Sequence, residues 1–290
     1  RVSRVLRLSA DPNNLDVALQ GSGVVLLGTN STAEHVGNPD QGDTEPFSCF
    51  DDGGGFVRDC VAAEGTAHTL DALRFGPDGA LYISSGDGIV NSKGNSRALN
   101  PDSLNGKILR INPITGEGYP DDPFYDGDPN SNRSKVFAMG MRNPFRIHVD
   151  RETNELWVAD VGEEALEETN RLGVDESFGK DINLGWPQYA GSEKYYADEQ
   201  PSPTRLPPTP PSYEYDHEQG RCAVIGGTVY RGAEFSELAG NYLFTDLCSK
   251  ALLGLREAPD GGYEEFTLAT IDESQIVSVD SGNDGRAYVT

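Results

Sequence analysis

Residues 68–88 read HTLDALRFGPDGALYISSGDG, two strand-like segments pinned by a Pro77-Asp78-Gly79 turn. Proline presets one turn dihedral and glycine accepts the positive φ that follows, so the stretch reads as a β-hairpin. A titratable histidine, His68, stands where the first strand begins. Two further stretches continue in the same style, LNGKILRINP at 104–113 and GMRNPFRIHVD at 140–150, the second with an Arg142-Asn143 pair ahead of its strand.

The hairpin grammar recurs at 73–87, at 145–160 around Asp150 to Asn154, at 222–248 around Arg231 to Gly240, and at 276–290 around Asn283-Asp284-Gly285. Second strands centred on Tyr82, Trp157, Leu243 and Tyr288 are spaced for blades of four short antiparallel strands with insertions. That spacing predicts an all-β propeller rather than a sandwich. Outer-strand candidates lie at 107–111 and 263–268. Long polar insertions occupy 28–66, 113–134 and 187–212. The last holds Pro201, Pro203, Pro207, Pro208, Pro210 and Pro211, and it reads as a loop between blades because strand grammar resumes after it. Only 163–171 has helical composition, about two turns of it. Residues 1–290 read as one propeller domain of four hairpins and an N-terminal outer pair, which implies an upstream blade segment beyond Arg1.

The formal net charge is −24, with 47 acids against 23 bases, so the chain repels nucleic acid and anionic membrane surfaces. No apolar run approaches the roughly 20 residues of a membrane-spanning helix. Six lysines (Lys93, Lys107, Lys135, Lys180, Lys194, Lys250) stand beside seventeen arginines, an acid-rich and lysine-poor balance that suits a high-salt, halophilic habitat. Calcium binding or plain solubility would favour acids too.

Four cysteines allow three pairings. The midpoint of Cys222 and Cys248 falls inside the loop at 231–240, which sets them opposite each other across a hairpin and favours that bridge. Cys49 and Cys60 remain as a short-loop pair around Asp51-Asp52-Gly53-Gly54-Gly55. Two bridges imply an oxidising compartment, secreted, periplasmic or cell-surface, and the alternative is four reduced, buried thiols. The sequons Asn30-Ser31-Thr32 and Asn132-Arg133-Ser134 are compatible with secretion. Without Cys-x-x-Cys-His, paired histidines or a glycine-rich loop opening a helix, haem, structural zinc and nucleotide sites find no support.

The run from His68 to Asp87, with Asn105 to Arg110, Gly140-Met141-Arg142-Asn143-Pro144 and Asn183-Leu184-Gly185-Trp186-Pro187, resembles the soluble quinoprotein glucose/sorbosone dehydrogenase family, in order and across the chain. The resemblance implies a six-bladed β-propeller and an aldose sugar dehydrogenase that uses pyrroloquinoline quinone (PQQ) and Ca²⁺. His68 matches the family's catalytic base, and an imidazole with an unperturbed pKa of about 6.5 suits that task. Arg142 and Asn143 match quinone-contacting positions, where a guanidinium stabilises oxyanion charge and an amide bonds a quinone oxygen. Lys250 matches the quinone-binding lysine after a one-residue shift. The calcium ligands fall on the main-chain carbonyls of Gly162 and Glu163, where the family has Gly-Pro. The loop from Asp126 to Asn132 spaces oxygens as an EF-hand does, but Phe137 stands where the bidentate Glu belongs, so it reads as a solvated acidic loop.

Three departures point another way. Ala67 replaces an Asp beside the base, which leaves His68 without a local acidic partner, and the region 273–278 lacks the family's Arg-x-Arg. Glu163 replaces proline. The stretch 222–232 with 244–249 resembles a branch that includes the propeller of Hedgehog-interacting protein, a binding protein and not an enzyme. The second expectation is therefore a non-catalytic extracellular propeller that binds protein or glycan, or assembles at a surface.

Overall fold

Alternating apolar residues make strands, and here the second strands of the hairpins, such as 81–85, 155–160 and 242–246, are buried on both faces. The computed structural model describes residues 2–33, 48–51, 53–64, 67–88, 96–174, 182–195, 204–271 and 275–290. Near the N-terminus, β1 (Val5–Arg7), β2 (Ala10–Asp11), β3 (Asn14–Ala18) and β4 (Val24–Leu27) form two antiparallel pairs, β1 with β4 and β2 with β3.

The first blade follows as β5 (Leu70–Phe75), β6 (Leu81–Ser85), β7 (Lys107–Ile111) and β8 (Val136–Met139), antiparallel in chain order from the axis outward. A second blade is built from β9 (Pro144–Asp150), β10 (Glu155–Asp160) and β11 (Leu166–Gly173). The chain then leaves: β12 (Ile182–Asn183) joins the outer edge of the first blade, parallel to β8, and β13 (Tyr189–Ala190) and β14 (Glu193–Lys194) make a small hairpin. It returns as β15 (Tyr213–Asp216), which closes the second blade against β11. The third blade is β16 (Val224–Val229), β17 (Tyr242–Asp246), β18 (Ala251–Glu257) and β19 (Tyr263–Thr270), and β20 (Val279–Ser281) pairs with β21 (Ala287–Val289). The innermost strands lie side by side, β5 against β9, β9 against β16 and β16 against β20, as the blades of a propeller do.

One strand serves two cores. On β6, Leu81 and Ile83 pack toward β1 and β4 while Tyr82 packs toward the second blade. On β10, Leu156 and Val158 face the first blade while Trp157 and Ala159 face the third. On β17, Tyr242 and Phe244 face the second blade while Leu243 faces β20. The period of two therefore sorts side chains between successive inter-blade layers rather than between core and solvent. The aromatic residues of the second strands fill those layers: Trp157 stacks on Tyr242 with ring centroids 4.5 Å apart.

The expected hairpins, outer strands and both disulfides are present, Cys49–Cys60 and Cys222–Cys248, each with Cα atoms 5.6 Å apart. Two expectations are corrected. Residues 163–171 are no helix: they enter β11, whose pairing with β10 and β15 outweighs the helix propensity of Glu and Leu. The insertion 187–212 is not a loop between blades but part of a longer excursion inside the second blade, between β11 and β15. Pro201 and Pro203 lie outside the described residues. In the loop Asp126–Asn132 the exposed Asp126 carboxylate accepts from Asp128 N, Ser131 Oγ and Ser134 Oγ, and Asp128 pairs with Arg58 at 2.7 Å. Asn132 is buried and bonded to Val57, Asp59 and Asp102, so its sequon is structural, whereas Asn30 is exposed.

Candidate functional site

Strand direction collects the candidate residues at one end of the blades. His68 precedes β5, Asp87 follows β6, Arg142 and Asn143 precede β9, Gly162 and Glu163 follow β10, and Lys250 sits between β17 and β18.

His68 takes a left-handed backbone with φ 55°, uncommon for a residue with a side chain though less so for histidine than for most. Its carbonyl accepts from Gly88 N, and Gly86 passes so close that a Cβ there would lie 2.6 Å from the His68 backbone. The buried ring then meets Asp87, with Nδ1 2.8 Å from Oδ1. The other oxygen of Asp87 accepts from Trp186 Nε1 at 3.0 Å. Ala67 thus costs His68 no partner: the acid comes from nineteen positions downstream instead of one position upstream. Asp87 N also donates to the carbonyl of Arg142, which ties this pair to the next blade.

Trp186 arrives by the excursion from the second blade. Beyond β12, its backbone amide donates to Gly140 and its ring stacks against Tyr195. The Arg142 guanidinium carbon lies 5.7 Å from the Trp186 ring centroid. Arg142 itself is bound to Glu163, with Nε 2.7 Å and Nη2 2.5 Å from Oε2, and its Nη1 reaches the Val161 carbonyl at 3.1 Å. Below it, Asp160 receives the amides of Arg142 and Asn143 on its two oxygens, at 3.0 and 2.6 Å. The Asn143 Oδ1 atom is buried with no hydrogen-bond partner.

Buried acids underlie this face. Asp160 is the register partner of Glu168 across β10 and β11. Burial pushes both carboxyls upward against the amides that lower them, and the charge of Asp160 adds to the rise at Glu168. Asp71 on β5 is raised to about 7 by burial, which outweighs the attraction of His68 and Arg146, and its Oδ2 is an orphan. The loop carrying Gly162 is held from beneath: Glu167 accepts from Gly162 N and Val224 N and pairs with His217 at 2.8 Å. His217, expected in a polar loop, is therefore engaged, while His148 lies in β9 as expected and His35 is outside the described residues.

Lys250 is exposed at the same end of the third blade. Part of the stretch expected to lack Arg-x-Arg, Glu273 and Ser274, lies outside the described residues. Cys222, Asp246 and Cys248 have metal-like proximity, but the cysteines are bridged and Asp246 accepts from four amides and the Tyr215 hydroxyl. The residues that sequence reasoning passed over are Asp87, Trp186, Asp160 and Asp71. Asp71, Asp87 and Trp186 stand inside the quoted motifs, whereas Asp160 is an ordinary strand residue by sequence.

Among curated proteins, the HIPL2 protein of Arabidopsis thaliana is 30% identical over 213 residues, 65% of this chain and 29% of that protein. Human Hedgehog-interacting protein is 26% identical over 183 residues, 62% of this chain and 23% of that protein. The chain thus spans less than a third of the length of either relative. Among solved structures, a glucose dehydrogenase superposes with a TM-score of 0.67 at 21% identity, covering 99% of this chain and 69% of that one. A PQQ-bound aldose sugar dehydrogenase from Streptomyces coelicolor gives 0.60 at 15% identity, over 99% of this chain and 65% of that one. Both likenesses are of fold, and both agree with the blades described above. The family model described as Glucose / Sorbosone dehydrogenase matches residues 56–290, the stretch that holds the blades and the His68 face, and the chain belongs to that family.

Proposed function

We propose that this chain is a sugar dehydrogenase-like propeller whose blade-end face oxidises an aldose at its anomeric carbon, with His68 as the base. The observation that carries the reading is the His68–Asp87 pair, buried and held on both sides. Asp87 accepts from Nδ1–H, which leaves Nε2 as the atom that takes the hydroxyl proton. Trp186 holds the second oxygen of Asp87 and so keeps the imidazole aimed. Arg142 and Asn143, the latter with a buried oxygen that has no hydrogen-bond partner, have the donor and acceptor chemistry to hold a quinone and a sugar oxygen. PQQ against Arg142, Asn143 and Lys250, with Ca²⁺ on the carbonyls of Gly162 and Glu163, supplies the hydride acceptor when bound. The two disulfides support an extracellular or periplasmic location.

Reconstitution with PQQ and Ca²⁺ followed by dye-linked oxidation of an aldose panel tests the reading. Turnover is expected, and His68→Ala is expected to remove it by a factor on the order of 10² to 10⁴ while leaving the circular dichroism unchanged. No turnover in the parent protein on any aldose would sink it. The similarity to Hedgehog-interacting protein favours a second reading, a non-catalytic extracellular propeller that binds a protein or glycan through the same face.

A further inference from the structure

Arg142 is the buried cation that this face offers to an anionic ligand beside the exposed Lys250, and all three of its nitrogens already have acceptors: Glu163 Oε2 for Nε and Nη2, and the Val161 carbonyl for Nη1. The pair is largely withdrawn from water, with side-chain exposures of 11% for Arg142 and 20% for Glu163. Screening is weak in such a place, and a charge-assisted contact made there persists. The carboxylates next to Arg142 give a second anion no help. Asp160 sits under the Arg142 and Asn143 amides, and Asp87 is tied to the Arg142 carbonyl.

We propose that Glu163 is an internal competing anion that sets what this face admits. A ligand that recruits Arg142 through carboxylates must first displace the Glu163 carboxylate, so the site raises the threshold for multiply carboxylated ligands and leaves neutral polyols unaffected. The inference rests on reading this face as the quinone and sugar site. It assigns to one residue the selectivity between two ligand classes at that site.

Calorimetric titration of PQQ into the parent protein, Glu163→Gln and Glu163→Asp tests it, each with and without Ca²⁺. Benzene-1,3,5-tricarboxylate serves as an unreactive tricarboxylate and methyl glucoside as a neutral probe. Glu163→Gln is expected to bind both tricarboxylates about tenfold or more tighter than the parent, with Glu163→Asp in between, because a charge-assisted bond no longer has to be broken first. Methyl glucoside affinity is expected to stay level across the three proteins. Unchanged or weaker tricarboxylate binding in Glu163→Gln overturns the proposal, as does absence of binding in all three proteins. A loss seen only with Ca²⁺ present also overturns it, since the Glu163 carboxylate would then serve the metal. A gain in binding without aldose turnover leaves this proposal standing and removes the dehydrogenase reading. Turnover with unchanged affinity does the reverse.

Discussion

Asp87 shows how much rests on one carboxylate. It joins His68, Trp186 and the Arg142 backbone, three segments from two blades, through its two oxygens and its amide. An amide side chain has the same shape but offers a donor where His68 Nδ1–H needs an acceptor, so Asp87→Asn inverts the imidazole's orientation logic. Aldose turnover in the reconstituted protein is expected to fall by roughly 10²-fold or more in Asp87→Asn. Trp186→Phe keeps the ring beside Arg142 and removes only the Nε1–H donor, and a loss of about tenfold in kcat with little change in KM is expected. No loss in Trp186→Phe would show that Trp186 acts through packing and not through Asp87.

At the level of the element, the unit of cohesion is the inter-blade layer. Trp157 on β10 is buried, stacks on Tyr242 of β17 and meets Tyr263 of β19 edge-on at 5.6 Å. Truncating it opens the seam between the second and third blades. Trp157→Ala is expected to lose about 3–5 kcal/mol in urea unfolding, whereas Phe, which keeps the stack, should lose less than half of that. A cost under about 1 kcal/mol for alanine would mean that the blades are held by their hydrogen-bonded edges instead. Edges do carry one element: β12 adds two residues in parallel to β8 and thereby carries the chain to the site end, where Trp186 follows.

For the molecule as a whole, charge dominates. Of the six lysines, Lys107 is fully buried with Nζ 2.7–2.8 Å from three backbone carbonyls, and Lys135 is buried against Asp59 at 2.9 Å. Among the described residues burial withdraws ten acids against four bases, counting those two lysines, so the surface is less lopsided than the formal −24 but keeps an acidic excess. Screening of that repulsion predicts a melting temperature that climbs by several degrees between low salt and about 1 M NaCl, where the Debye length is about 3 Å. A melting temperature that is flat or falls with salt would defeat this account. The raised acids set the pH response. Asp71, raised to about 7, keeps its proton in the folded chain where the unfolded chain has released it, so its contribution to stability falls as pH rises from about 4 to 7. Asp160 and Glu168 act in the same direction, and His148, lowered to about 4 by burial, opposes them up to its unfolded value near 6.5. Asp71→Asn isolates the effect: it is expected to unfold at the parent's temperature near pH 4 and to be more stable at pH 8 by on the order of 3 kcal/mol. Identical pH profiles would show Asp71 ionised without penalty.

The sequence by itself determined the strands, the hairpins and both disulfides of this protein, because period-two alternation, Pro-Asp-Gly turns and cysteine spacing are local properties of the chain. It also singled out His68 and Arg142 as candidates, through motifs that lie next to the strands they precede. It misread residues 163–171, where composition favours helix and only the neighbours β10 and β15 make a strand. Tertiary structure alone decided which acid serves His68, that Trp186 reaches that acid from the far side of an excursion, and that Glu163 occupies Arg142. Those contacts join segments that blade packing brings together, and a residue's sequence neighbours carry no record of a partner supplied by the next blade.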